Sequence, residues 1–369
     1  MVQCDMTHPS YDLLIRTVTK SIAIRGDRIV ALDSDITEAA NQAFDFPEGI
    51  LLPGLIDLHA HPARSGSVFG VDPDSLMLSR GVTTVMSQGD AGADNIDDFV
   101  RDTIRASRTR VLLAVNLSRV GESTEAGCFT VLDNADANAC VSAIEKHRQH
   151  TWGIAVNVSH HACGTSDPRE VLKRGLAAAR QADVPILYGM RRPSDWPLAE
   201  QLKRLRPGDV VTYCYRREPH CIVERGHVLP EILDARDRGI RFDVGHGGGS
   251  FDFEVAEAAI RDRFAPDTIS SDLHVRHLGQ TPQHDLPLVM SKLKAAGMTD
   301  DDVFRAVTST PASVLGLASE IGSLIVGRVA DVTVLQWRDH AELLYDTSST
   351  SRSAGRWEAV LTVRSGDVV

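Results

Sequence analysis

Eight short, near-continuously apolar runs recur along this chain, separated by amphipathic stretches. They open at Gly54 (GLIDLHAHP), Gly81 (GVTTVMSQG), Thr109 (TRVLLAVNLS), Thr151 (TWGIAVNVS), Val184 (VPILYGM), Gly208 (GDVVTYCY), Ile240 (IRFDVGHGGG) and Asp267 (DTISSDLH). Runs of this kind suit strands covered on both faces, as in a parallel sheet. Between them, NIDDFVRDTIRASR, DANACVSAIEKHRQH, PREVLKRGLAAARQA and FEVAEAAIRDRF carry apolar residues at helical spacing. Asp167-Pro168 is a helix-start signal ahead of REVL. The pattern predicts a closed (β/α)8 TIM barrel. A doubly wound open sheet is the alternative, but it rarely sustains such regular alternation to eight strands.

The two ends break this pattern. Residues 11–52 and the tail from Ile321 read as Gly-punctuated strands without helical periodicity. They predict a small β-sandwich domain built from residues 1–52 and 320–369, flanking a barrel of residues 53–319. A length of 369 residues suffices for both units. Hydrophobic residues at 43% and charged residues at 24% are ordinary for a globular chain. Acidic residues outnumber basic ones 50 to 39, for a formal charge of −11. Nucleic acid and anionic membranes want a basic face, so neither is an expected partner.

No run approaches the ~18 apolar residues of a membrane span. The N-terminus lacks the basic and apolar regions of a secretory signal. The six cysteines, Cys4, Cys128, Cys140, Cys163, Cys214 and Cys221, include no CxxC pair and read as reduced thiols. The expectation is a cytoplasmic protein whose partner is a small-molecule substrate. Homo-oligomerisation is left open, since large barrels often associate.

In a barrel, chemistry collects where strands end at the C-terminal face. The first run ends Asp57-Leu58-His59-Ala60-His61-Pro62. Alternation puts Asp57, His59 and His61 on one face, and turns Leu58 and Ala60 toward the helices. Two imidazoles so spaced can bind one divalent metal, whereas two histidines on a surface turn are the plainer alternative. The last run ends Ser270-Ser271-Asp272-Leu273-His274. Asp272 there can ligate a metal and take a proton, or simply cap the next helix.

Further candidate ligands are His160 and His161 past the fourth run and His220 past the sixth; Cys163 and Cys214 read better as small buried residues. Tyr188 and Tyr213 end the fifth and sixth runs, with Tyr215 close by. A hydroxyl there can donate to a developing oxyanion; packing is the alternative. Arg191 and Arg192 follow the fifth run and can fork onto a substrate carboxylate, or form an exposed basic pair. Arg216 and Arg217 raise the same question. His246, set among glycines that let a backbone approach a ligand, and His274 complete the substrate-binding candidates. No GxSxG elbow, P-loop or HExxH motif occurs, which argues against a serine hydrolase, a P-loop nucleotidase and a zincin protease.

GLIDLHAHP, the TSTPASVLGL segment at Thr308 and IGSLIVGRVADVTVLQW together resemble the amidohydrolase superfamily. YDLLI and ADVTVL are similar to that family's β-sandwich appendage. DVGHGGGSFDFEVAEAAI and PDTISSDLH look like its dihydroorotase-related deacetylase group. The resemblance covers nearly the whole chain. It implies a divalent metal, usually zinc, at the strand ends, and hydrolysis of an amide, ester or cyclic amide by metal-activated water. It implies His59 and His61 as ligands, and Asp272 as ligand and general base. The family's binuclear members carry a lysine at the end of strand four and histidines at the ends of strands five and six. The matching places hold Ala155, Gly189 and Tyr213. That departure points to a single ion, Zn2+ or alternatively Mn2+. It also leaves a second reading: an amidohydrolase-fold paralogue that no longer hydrolyses and serves as a small-molecule binding or regulatory protein.

Overall fold

The computed structural model describes residues 10–217 and 222–369, the side chains of 340–342 excepted; Cys4, His220 and Cys221 lie outside the described residues. The N-terminal segment forms β1 (Tyr11–Thr17), β2 (Ser21–Arg25), β3 (Arg28–Asp33), β4 (Ala40–Phe46) and β5 (Gly49–Pro53). Next come β6 (Leu55–Ala60), β7 (Val82–Ser87), β8 (Arg110–Asn116), β9 (Thr151–Asn157), β10 (Ile186–Gly189) and β11 (Val210–Thr212). A short hairpin, β12 (Val223–Glu224) and β13 (His227–Val228), precedes β14 (Arg241–Phe242). The tail holds β15 (Val332–Tyr345), β16 (Ser351–Arg364) and β17 (Asp367–Val368).

Seven of these strands form one parallel sheet in the order β14-β11-β10-β9-β8-β7-β6. The eighth run is an extended segment that hydrogen-bonds to both edges of this sheet. On one side the N–H groups of Val244, His246 and Gly247 donate to the carbonyls of Thr268, Ser270 and Ser271. On the other, Asp272 N–H donates to His59 O at 2.7 Å and His61 N–H to Leu273 O at 3.0 Å. Asp272 sits at φ 49°, a left-handed conformation that interrupts a regular ladder.

Side chains sort by face. Ile56, Met86, Ala114, Ala155, Leu187 and Val210 meet inside the sheet, where Ala312, Leu315, Ile321 and Val329 join them. Val85, Leu113, Val156, Ile186, Val211 and Phe242 share the larger cluster with the surrounding helices. The helix Pro168–Ala182 shows how the sequence builds one of these. Asp167 accepts from Arg169 N–H, Pro168 occupies the first turn, and Val171, Leu172, Leu176 and Ala179 form the buried face. One expectation fails: Leu58 belongs to the inner cluster, not to the helix side. The register shifts between Asp57 and Ala60, so strict alternation does not hold at this strand end.

The chain ends form two four-stranded sheets, β3-β2-β1-β4 and β17-β16-β15-β5. Leu13, Ile15, Ile22 and Ile24 from one meet Leu51, Val332, Val334 and Val363 from the other in a single cluster. The tail is not confined to this unit. β15 and β16 are 14 residues each, and their far halves lie on the barrel. Leu335, Leu344 and Trp357 join the main cluster, and Trp357 N–H donates to Ser291 Oγ at 2.8 Å. At the hairpin turn, Asp346 Oδ2 accepts from Phe253 N–H at 3.1 Å. Among the described residues no helix is long and apolar enough to cross a membrane, and Cys128, Cys140, Cys163 and Cys214 are free and buried.

Candidate active site

His59 and His61, at the end of β6, meet Asp272 from the eighth segment. Asp272 Oδ1 lies 3.4 Å from Nε2 of each imidazole. All three residues are buried. Their supports fix which ring nitrogen faces inward. His59 Nδ1 is 2.7 Å from Thr212 Oγ1, and the Thr212 hydroxyl donates its proton to Asp243 Oδ2 at 2.8 Å. His59 therefore donates through Nδ1 and presents its Nε2 lone pair to Asp272. Asp243 also accepts from the hydroxyls of Thr268 and Ser270, each at 2.6 Å. His61 Nδ1 donates to Asp90 Oδ1 at 2.9 Å, and Asp90 is held by the hydroxyls of Ser67 and Ser87, each at 2.6 Å. Behind Asp272 only glycine fits at position 247, where a Cβ would fall 2.2 Å from Oδ2.

The electrostatics follow from this geometry. Burial pulls the His59 pKa down, but the charges of Asp272 and Asp243 outweigh it and raise it to about 9. Burial acts likewise on His61, and Asp90 and Asp272 raise it to about 10. Burial would lift the Asp272 carboxyl, yet the two imidazoles hold it well below the usual carboxylate range. Among the described residues the buried His59 Nε2 has no hydrogen-bond partner. Two lone pairs and a carboxylate facing one another need a cation between them, a proton or a metal. Two donors about 2.1 Å from one tetrahedral ion lie about 3.4 Å apart, so the donor set fits one divalent ion. It is a partial set: among the described residues no group of three or more His, Cys, Asp or Glu side chains is arranged to hold a metal ion.

A cavity of 230 Å³ opens beside the triad, lined among others by Gln88, Glu122, Asn157, His161, Tyr213, Arg216 and His274. The Tyr213 ring meets His59 edge-on at 5.0 Å, and the Arg216 guanidinium lies 3.9 Å above its centroid. Arg216 Nε donates to Ser250 Oγ at 2.9 Å. The His274 ring stands 5.9 Å from His61 and 5.8 Å from Phe69, and burial takes its pKa down to about 4.

Other candidates lie elsewhere. The Tyr188 hydroxyl is buried on the helix side and donates to Gln201 Oε1 at 2.8 Å; that of Tyr215 donates to Phe264 O at 2.9 Å. Arg191 pairs with Asp195 at 3.3 Å, His160 bonds the same carboxylate, and Arg192 is exposed. None of these lines the cavity. His246 turns away toward Lys292, with Nζ 2.9 Å from its Nε2. Asp57 accepts from Ser271 N–H at 3.0 Å and from its hydroxyl, bracing the eighth segment rather than joining the triad. Burial raises its pKa to about 7.

Sequence reasoning missed Glu122 and Asn157. Glu122 lies in the loop after β8, tied by its N–H to Asp90 O at 3.2 Å and by its carbonyl to Val68 N–H at 2.9 Å. Burial raises its pKa to about 7. The local signal was Gly121, at φ 60°, which approaches the Asp90 backbone too closely for a side chain. At the end of β9 the cavity residue is Asn157, not Ala155, which packs in the inner cluster. A Cβ on Gly189 would lie 2.7 Å from Asn157 Oδ1 and 3.2 Å from Tyr213 Cε2, so these two side chains fill the adjoining space.

No family model matches the chain. It is 34% identical over 326 residues to a deacetylase of Agrobacterium fabrum, covering 86% of this chain and 78% of that protein. A deacetylase of Enterococcus faecalis is 28% identical over 355 residues, covering 93% and 95%. The crystal structure of an adenine deaminase superposes with a TM-score of 0.90 at 27% identity, covering 98% of this chain and 100% of that one. That of a dihydroorotase gives 0.87 at 30% identity, covering 97% and 98%. With these relatives, and with its parallel sheet the wall of a TIM barrel, the chain belongs to the amidohydrolase superfamily of hydrolases.

Proposed function

We propose that this chain is a mononuclear metal-dependent hydrolase that cleaves an amide, ester or cyclic amide bond in a small anionic molecule. The reading is carried by the convergence of His59 Nε2, His61 Nε2 and Asp272 Oδ1, with both Nδ1 atoms already engaged. Imidazole and carboxylate donors suit zinc, with manganese as the second choice. Such an ion supplies a Lewis acid and a water acidic enough to attack near neutral pH.

The remaining steps fall to the chain. Asp272 accepts the proton of the attacking water. Tyr213 donates its hydroxyl to the carbonyl oxygen of the substrate. Glu122, kept close to half-protonated at neutral pH by burial, returns a proton to the leaving group. Arg216 receives the anionic end of the substrate. Asn157 and Tyr213 around Gly189 leave no room for a further histidine there, which favours one ion over two. The deacetylase names of the relatives favour an acyl amide or ester as substrate.

The test is elemental analysis of the purified protein together with turnover on a panel of N-acetyl and O-acetyl carboxylates. The wild type should carry near-stoichiometric zinc or manganese. His61→Asn and Asp272→Asn should lose the metal and at least about 100-fold in turnover. Full turnover in metal-depleted His61→Asn sinks the proposal. Neither metal nor turnover in the supplemented wild type would favour the binding-protein reading.

A further inference from the structure

A second cavity, of 390 Å³, lies behind the glycine-rich segment that follows β14. Its walls include His246, His277, His284 and Lys292, with Tyr345 and Asp346 from the C-terminal hairpin. Lys292 stands on the buried helix Leu286–Ala295 and is only 6% exposed. His246 Nδ1 donates to Gly247 O at 2.8 Å, so its Nε2 is an acceptor and takes one Lys292 proton at 2.9 Å. The rest of the ammonium meets no acceptor among the described residues. Asp346 favours it only through its charge and makes no ion pair with it: that carboxylate accepts from the N–H groups of Phe253, Ser348 and Thr350, at 3.1, 2.8 and 2.8 Å.

His277 adds an independent sign. Its Nδ1 accepts from His274 N–H at 3.2 Å, which leaves the proton on Nε2. Among the described residues that buried nitrogen makes no full hydrogen bond, the backbone of Gly247 acting on the ring only weakly, and the residue is 2% exposed. His284 cannot serve it through Nε2, which donates to Ser271 O at 2.8 Å. An unanswered buried ammonium and an unanswered buried N–H line the same cavity, and each costs free energy until an acceptor arrives.

We propose that this cavity binds a small oxyanion, a carboxylate or a phosphate, between Lys292 Nζ and His277 Nε2. The volume admits a small molecule. Burial brings the Lys292 pKa down to about 8, outweighing the charges of Asp346 and Asp285, neither of which is in ion-pair range. Gly247, which closes on Asp272, also lines this cavity, so the two cavities share a wall but not their binding groups.

Calorimetric titration of the full-length protein with acetate and with inorganic phosphate tests the site. Saturable binding is expected in the wild type and in the active-site variant His61→Asn. Lys292→Gln and His277→Gln should each weaken it, the former at least about 10-fold. Preference for one probe names the oxyanion. A measurement on the wild type alone guards against misfolded variants: the anion should slow reductive methylation of Lys292 but not of exposed Lys203. Absence of saturable heat with both probes overturns the proposal. So does undiminished affinity in Lys292→Gln, unprotected Lys292, or loss of binding in His61→Asn, which would assign the anion to the first cavity.

Discussion

Arg216 packs its guanidinium on the Tyr213 ring and gives one hydrogen bond to Ser250, with no carboxylate in ion-pair range among the described residues. A cation–π contact and one neutral acceptor answer only part of its desolvation, so an incoming anion gains from it. Arg216→Ala should raise KM about 10- to 100-fold with a smaller change in kcat, read from steady-state kinetics. Arg216→Lys should restore little where the planar fork is what binds. Lys292 bears on stability. Its pKa in the folded state is about 8 against a reference of 10.5, so the folded protein releases this proton before the unfolded chain does. The penalty is complete below pH 8 and is relieved as pH rises toward 10.5, where the unfolded chain also loses the proton. A shift of that size corresponds to about 3 kcal/mol. In buffer without carboxylate or phosphate, the stability of Lys292→Met relative to wild type should therefore fall as pH rises from 7 to 10. Urea melts of both proteins across that range check it.

At the level of elements, the eight apolar runs were legible because strands enclosed by helices need no polar face. β6 to β11, β14 and the segment after Asp267 all fall on those runs. That His59, His61 and Asp272 would come together was legible because strand ends meet at one face of a barrel. The register slip at Asp57 was not, because Asp57 is held by Ser271, 214 residues away. Nor was the direction of the Tyr188 hydroxyl, whose partner Gln201 lies on a following helix. Glu122 escaped because backbone bonds to Asp90 and Val68 set its loop, and no periodic pattern marks such bonds. Gly189 makes the strand-end packing testable. Gly189→Ala should cost about 1–3 kcal/mol in urea unfolding, since its Cβ must push Asn157 and Tyr213 apart. Gly189→His alone should fold poorly and gain no second ion by elemental analysis.

At the scale of the molecule, the two ends of the chain are bound to one another and to the barrel. β5 pairs with β15, and the far half of the C-terminal hairpin supplies Trp357 to the main cluster. Such shared burial predicts one cooperative unfolding transition. Far-UV circular dichroism and tryptophan fluorescence should give coincident urea midpoints, since Trp152 and Trp196 lie in the barrel and Trp337 and Trp357 in the hairpin. Separate midpoints would mean that the end unit and the barrel unfold independently. The hairpin also orders events during synthesis. When a ribosome has produced residues 1–319, all barrel strands exist, but the partner of β5 has not been translated and the helix Leu286–Ala295 lacks the strand that covers it. The nascent protein must then keep an unfinished apolar flank until β15 and β16 emerge, which exposes that surface during synthesis and gives chaperones reason to hold it.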